Sequence, residues 1–204
     1  MTGPDEVLDF WFADTLDRLA GRRAIWFMGG PDIDQLITEK FGTLPDAALA
    51  GELRHWATDA RNTLALVLVL DQFPRNIYRN TARAYHYDAA GLDLAVNIID
   101  QDLNLSLHPI EQSFLFLPLE HSEAIEDQTR AVQLYETLTT QSSGPYLEST
   151  RQSLDYAKRH CDIIRRFGRF PHRNAILGRV STEAEIEFLT SGGETFGVVP
   201  PEEA

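Results

Sequence analysis

Apolar residues recur at helical spacing along most of the chain. Val7, Leu8, Trp11 and Phe12 mark one helix face. Thr2-Gly3-Pro4-Asp5 ahead of them reads as a helix start, with proline in the first turn and acids near the positive end of the dipole. A polar connection leads to Arg22-Arg23-Ala24-Ile25-Trp26-Phe27, and Gly29-Gly30-Pro31 breaks the chain. Ile33, Leu36, Ile37 and Phe41 predict the face of a further helix ended by Gly42, and Pro45 and Gly51 bracket a short helical turn. From Leu53 through Trp56, Ala60 and Leu64 to Leu70 the pattern becomes apolar on all sides, which predicts a buried central helix.

That apolar run turns polar within two residues, at Asp71-Gln72-Phe73-Pro74-Arg75-Asn76-Ile77-Tyr78-Arg79. Proline disfavours helix in the residue before it and cannot donate to the preceding turn. The spacing therefore predicts a helix end near Gln72, delivering Asp71, Arg75, Asn76 and Arg79 to one mouth. A similar phrase returns as Gly168-Arg169-Phe170-Pro171-His172-Arg173-Asn174, with one residue inserted after the proline. Two such motifs suggest two helix ends facing a shared site.

Between the motifs, Asp88 is a candidate N-cap for a helix carrying Leu92, Ala95, Val96 and Ile99. His108-Pro109 opens another, expected to run through Phe114 and Leu115 to Pro118. Glu123, Glu126 and Asp127 enrich the first turn of the next. Gly144-Pro145 separates it from a helix striped with Leu147, Leu154, Ala157, Cys161 and Ile164, and Thr182-Glu183-Ala184-Glu185 matches a capping box. No stretch alternates with period two. The expected fold is all-α, a single domain over residues 1–196 built as an array of antiparallel helices with short loops, followed by a disordered tail at 197–204.

Composition narrows the function classes. A chain of 204 residues with 43% hydrophobic residues can bury one sizeable core. Lone Cys161 excludes an internal disulfide and, on the apolar stripe, reads as an inert core residue of a protein in a reducing, cytoplasmic setting. The chain starts without a basic segment leading into an apolar core, and its longest apolar run is far below the roughly 20 residues that span a bilayer, so no membrane partner is expected. A net charge of −13 argues against nucleic acid. The positive charge is uneven, however: Arg151 to Arg179 carries +6 against −19 for the rest, and arginine outnumbers lysine 16 to 2. Arginine suits bidentate recognition of carboxylate or phosphate. Internal ion pairing between this segment and the acidic remainder is the plainer explanation.

With these motifs assembled, the chain resembles the bacterial domain-of-unknown-function family 924. The resemblance rests on Asp71-Gln72-Phe73-Pro74-Arg75-Asn76, Pro118-Leu119-Glu120-His121-Ser122-Glu123 and Gly168-Arg169-Phe170-Pro171-His172-Arg173-Asn174. Leu177-Gly178-Arg179, Ser181-Thr182, Val7-Leu8-Asp9-Phe10-Trp11-Phe12 and Trp26-Phe27 extend it to about Phe196. It implies an all-helical fold similar to tetratricopeptide repeats and no established activity. Ile33-Asp34, where Phe-Asp is expected, is a departure that bears on core packing.

Two functions stay open. In the first, Arg75, Asn76, Arg79, Arg169, His172, Arg173, Asn174 and Arg179 bind an anionic small molecule or an acidic peptide. In the second, an enzyme acts on a phosphate- or carboxylate-bearing substrate, with His172, His121, Asp71 or Glu120 as acid or base. His172 is favoured because Arg169 and Arg173 would keep it neutral. Against both stands a structural clamp, in which Asp71 pairs with Arg75 or Arg173 and merely joins two helix ends; Asp71 and Glu120 are both expected to pair with motif arginines, shielded from solvent. The six histidines include no His-x-x-x-His pair, and Glu52-Leu53-Arg54-His55 lacks the second copy that a di-iron bundle needs, so no metal is expected. No phosphate loop, nucleophile elbow or dinucleotide fingerprint implies a cofactor.

Overall fold

The computed structural model describes residues 2–13, 24–27 and 30–198. The expected connection around Arg22 and Arg23 and the last six residues of the expected tail lie outside them. Among the described residues all regular structure is helical: α1 (Pro4–Phe12), a single turn α2 (Ala24–Phe27), α3 (Pro31–Phe41), α4 (Leu44–Leu49), α5 (Ala60–Ile77), α6 (Asp88–Asp100), α7 (Pro109–His121), α8 (Ile125–Gln141), α9 (Tyr146–Phe167) and α10 (Glu183–Thr190). Short 3-10 turns at Arg54–Trp56, Ala82–Tyr85, Leu103–Ser106 and Pro171–Arg173 punctuate the array.

α5 is the hub. Asp59 caps it, its carboxylate accepting from the Asn62 backbone N–H at 2.8 Å. Every residue from Thr63 to Pro74 is buried, so that stretch of the helix has no wet face and must be surrounded. α1, α3, α4, α6 and α7 all pack on it. At the crossing with α6, a Cβ on Gly91 would sit 3.4 Å from that of Leu70, an approach that a larger side chain would force open. An aromatic cluster locks α1 onto the hub: Trp11 lies 5.6 Å and Phe41 4.9 Å from the Phe73 ring, and Phe12 lies 5.5 Å from Phe114. α7, α8 and α9 form the second half, with α9 against both of the others. Cys161 and Ile164 of the expected stripe are fully or nearly fully buried there. Leu36, expected on the buried face of α3, is more than a third exposed, while Ile37 and Phe41 are buried.

The prolines do less than their local chemistry suggests. α5 does not stop near Gln72 but continues through Pro74 to Ile77, and α7 likewise passes Pro118 and ends at His121. Side chains hold the last turn of α5 together: Arg75 Nη1 donates to the Asp71 carbonyl at 2.6 Å and Asn76 Nδ2 to that of Gln72 at 3.0 Å. Tertiary packing of Phe73, fully buried, overrides the steric preference of the residue before proline. The second motif behaves differently. α9 stops at Phe167 because Gly168 takes a left-handed conformation, φ 69°, its N–H bonded to Ile164 O. Phe170 is then extended and Pro171 opens a 3-10 turn. The two motifs are thus unlike in local structure: one lies inside the end of a helix, the other beyond one.

Two caps came out differently. Thr182 and Glu185 do form the expected capping box on α10. Asp88, the expected cap of α6, makes no such bond; Tyr87 occupies the position and the Asp88 carboxylate is drawn to Arg75. His108 supplies the cap of α7, with Glu111 bonding back to its backbone N–H. No helix among the described residues is long and apolar enough to cross a membrane.

Candidate functional site

The C-terminal ends of α5 and α7, the middle of α9 and the Pro171–Arg173 turn converge on one face. Asp71, the last acid on the buried side of α5, is 1% exposed. Its carboxylate meets His121 Nδ1 at 2.8 Å, accepts from Gln72 Nε2 at 2.6 Å and lies 3.4 Å from Arg75 Nη1. Burial alone would raise the Asp71 pKa, but the charges of Arg75 and His121 and the hydrogen bonds outweigh it and hold the group below the usual carboxylate range. Arg75 in turn forks onto Asp88 at 2.9 and 3.1 Å.

His121 closes α7, and its backbone carbonyl accepts from Arg173 Nη1 at 3.0 Å. With Nδ1 on Asp71, Nε2 is the ring nitrogen left for the cavity beside it. Burial, followed by the positive charge of Arg75, pushes its pKa down despite Asp71, so the ring is neutral near pH 7. Asp71 therefore orients a neutral imidazole, the geometry of a general base. Behind it, His160 of α9 sits 3.1 Å from Glu120 and 2.9 Å from the Tyr156 carbonyl. Burial first, then His121, drives the His160 pKa well below its ordinary value. Glu120, expected on a motif arginine, faces this histidine instead.

Arg173 is the other half of the site. Its side chain is 8% exposed, with the guanidinium 4.8 Å from the Tyr85 ring and 4.3 Å from that of Phe170. Its nearest carboxylate oxygen, Asp88 Oδ2, is 4.0 Å away, and Nε has no hydrogen-bond partner among the described residues. Burial and the neighbouring Arg75 charge both lower its pKa, the mark of a cation short of anions. His172 beside it is 3% exposed, packed near Phe170 and Phe196, and its Nδ1 also lacks a partner. Burial, more than Arg173, lowers its pKa to about 3. That makes His172 neutral as expected, but a poor proton carrier near pH 7.

Arg75, Arg173, His121, His160, His172 and Tyr85 line a cavity of about 140 Å³. Arg79 stands at its rim, paired with Asp34 at 2.6 and 2.7 Å. Arg79 and Arg83 follow the end of α5 and do not continue a helical face with Arg75; Arg83 pairs with Asp46. The other sequence candidates sit elsewhere. Arg169 is forked onto Glu185 at 2.6 and 2.8 Å, and Arg179 onto Glu123 at 2.7 and 3.0 Å. Asn174 bonds Ser181 and Arg179, while Asn76 faces the larger neighbouring cavity. Glu123 also accepts from the Phe170 N–H at 2.8 Å, tying the second motif to the end of α7.

Tyr85, His160 and Phe196 were not among the site residues expected from the sequence, and Asp88 was expected only as a helix cap. His160 lies next to the buried stripe of α9 and one turn before Ile164, a signal that was available. Phe196 had none. The segment after Gly192, the end of the expected domain, folds back: Phe196 stacks on His160 with ring centroids 3.5 Å apart, and Glu194 pairs with Arg159 at 2.7 Å. No group of three or more His, Cys, Asp or Glu among the described residues is arranged to hold a metal.

An all-helical array closing over an arginine- and histidine-lined cavity is therefore the class of protein that fold and site define. The chain belongs to the family described as bacterial protein of unknown function (DUF924), whose family model matches residues 7–193. The solved structure of a protein of unknown function from Agrobacterium tumefaciens is 34% identical and superposes with a TM-score of 0.78, covering 93% of this chain and 97% of that one. No curated protein matches the chain.

Proposed function

We propose that this protein binds a small molecule through a carboxylate or phosphate group seated on Arg173. One observation carries the reading. Arg75, Arg79, Arg169 and Arg179 are each matched by a forked carboxylate, whereas Arg173, buried deeper than any of them, has none closer than 4.0 Å. An uncompensated buried cation costs several kcal/mol, a cost that a bound anion would offset. A cavity of about 140 Å³ favours a small ligand over an acidic peptide, which needs a longer groove.

Ligand binding should raise folding stability by RT ln(1 + [L]/Kd), about 2.7 kcal/mol at a hundredfold excess over Kd. A thermal-shift screen with phosphates, nucleotides and carboxylates at pH 7.5 should expose it. Arg173→Met should abolish the shift, and Arg165→Met, a change at an exposed arginine paired with Asp162, should preserve it. Equal responses from both variants, or no response in the wild type, would refute the anion site.

The Asp71–His121 pair supports a second reading, an enzyme in which His121 Nε2 takes a proton from the bound substrate or its attacking water. His121→Gln should then retain the thermal shift yet lose single-turnover conversion of the best ligand. Conversion that survives the substitution would leave binding as the whole function.

A further inference from the structure

The arginine-lined cavity is one end of a longer space. A larger cavity of about 480 Å³ shares Arg75, His121, His160 and Phe196 with it. On its far side, that cavity shares Trp26, Leu117, Glu120 and Tyr156 with a narrow recess of about 40 Å³. The recess is walled by Ile110, Phe114 and Tyr135, all but fully buried. Two of its hydroxyls turn back onto their own helices, Ser113 to the Pro109 carbonyl at 3.1 Å and Ser153 to that of Ser149 at 3.2 Å. The space is thus cationic at one end and apolar at the other, with His121 between them.

A bare phosphate or acetate would use only the first end. Resting on the anion reading above, we infer that the ligand is a head-and-tail anion: a carboxylate or phosphate on Arg173, joined to a short apolar chain or ring that reaches Trp26, Leu117 and Phe114. The joining atoms pass His121. Glu120 lines the junction, so a second anionic group at the tail would face a carboxyl rather than a cation, and dicarboxylates should bind less well than monocarboxylates of equal length. At about 10–15 Å³ for each water-sized group, the recess takes roughly three methylenes.

The test is a homologous series on the wild-type protein, from acetate to octanoate, beside the matching alkyl phosphates and alcohols, with Kd measured by calorimetry. Each methylene that reaches the apolar end should tighten binding about fourfold, until the recess is full and the gain stops. The tighter of the two ionic series names the head group, and the alcohols should not bind. Ser153→Leu, which fills the recess, should erase the gain for long members and leave acetate and inorganic phosphate as in the wild type. Acetate and phosphate binding with no dependence on chain length would overturn the tail while the anion site stands. Binding by none of the anions would overturn the anion site itself. Should Ser153→Leu fail to fold, the wild-type series decides alone.

Discussion

Acidification from pH 8 to pH 5 should remove at least about 2 kcal/mol of folding stability, before most carboxylates are protonated. His160 and His172 are buried and neutral in the fold, with pKa values pushed well below the ordinary 6.5, to about 3 for His172. In the unfolded chain both take up a proton near pH 6.5. Between the folded and unfolded values the unfolded state therefore binds more protons, and stability rises with pH. The stabilisation is complete above about pH 7 and is lost as pH falls through 6.5 toward the folded values. His172 accounts for about 2 kcal/mol by pH 5 and His160 adds in the same direction, against a typical total of about 5–15 kcal/mol. His121, also lowered, adds in the same direction. Below about pH 4 the depressed Asp71, Glu123 and Glu185 contribute a second loss. Urea unfolding at a series of pH values checks this, and His172→Phe should remove about 2 kcal/mol of the loss between pH 8 and pH 5. A stability that is flat from pH 8 to pH 5 would mean that these histidines are already charged or solvated in the fold.

Asp71→Ala should cost about 3 kcal/mol at pH 7.5, the lower end for breaking a buried ion pair. Asp71 binds three partners at once: Arg75, His121 and Gln72. Without it His121 Nδ1 loses its acceptor and Arg75 keeps Asp88 alone, which is why the loss stays at the lower end. Asp71→Asn keeps the shape and one acceptor, and should recover part of the stability while leaving His121 less basic. NMR titration of the His121 ring separates the two effects. An unchanged melting temperature in Asp71→Ala would show that the α5–α7 junction is held by packing alone.

The helical architecture was legible because period 3.6 is written in residues that must be buried wherever the helix lies, such as Trp11, Phe41 and Leu64. The convergence of the two motifs was also legible, since Arg75 and Arg173 line one cavity. What failed was the inference from proline to helix end. Pro74 and Pro118 cost their helices one hydrogen bond each, and buried neighbours on both sides outweigh that cost. In the Arg151–Arg179 segment Lys158, Arg159, Arg169 and Arg179 pair with acids outside it, as internal ion pairing predicts, while Arg165 pairs with Asp162 within it. No sequence feature shows that buried Arg173 lacks a close carboxylate, because Asp88 goes to Arg75 and Glu123 to Arg179 through contacts more than ten residues apart. The fold-back of Phe196 onto His160 is equally non-local.

The central claim is that Arg173 waits for an anion. Anomalous diffraction from crystals soaked in selenate tests it most directly, because the selenium signal locates the ion without reference to any activity. The expected result is a peak within hydrogen-bonding distance of the Arg173 guanidinium, facing Arg75, and missing from crystals of Arg173→Met. Selenate bound at other surface arginines, with nothing in this cavity, would contradict the account.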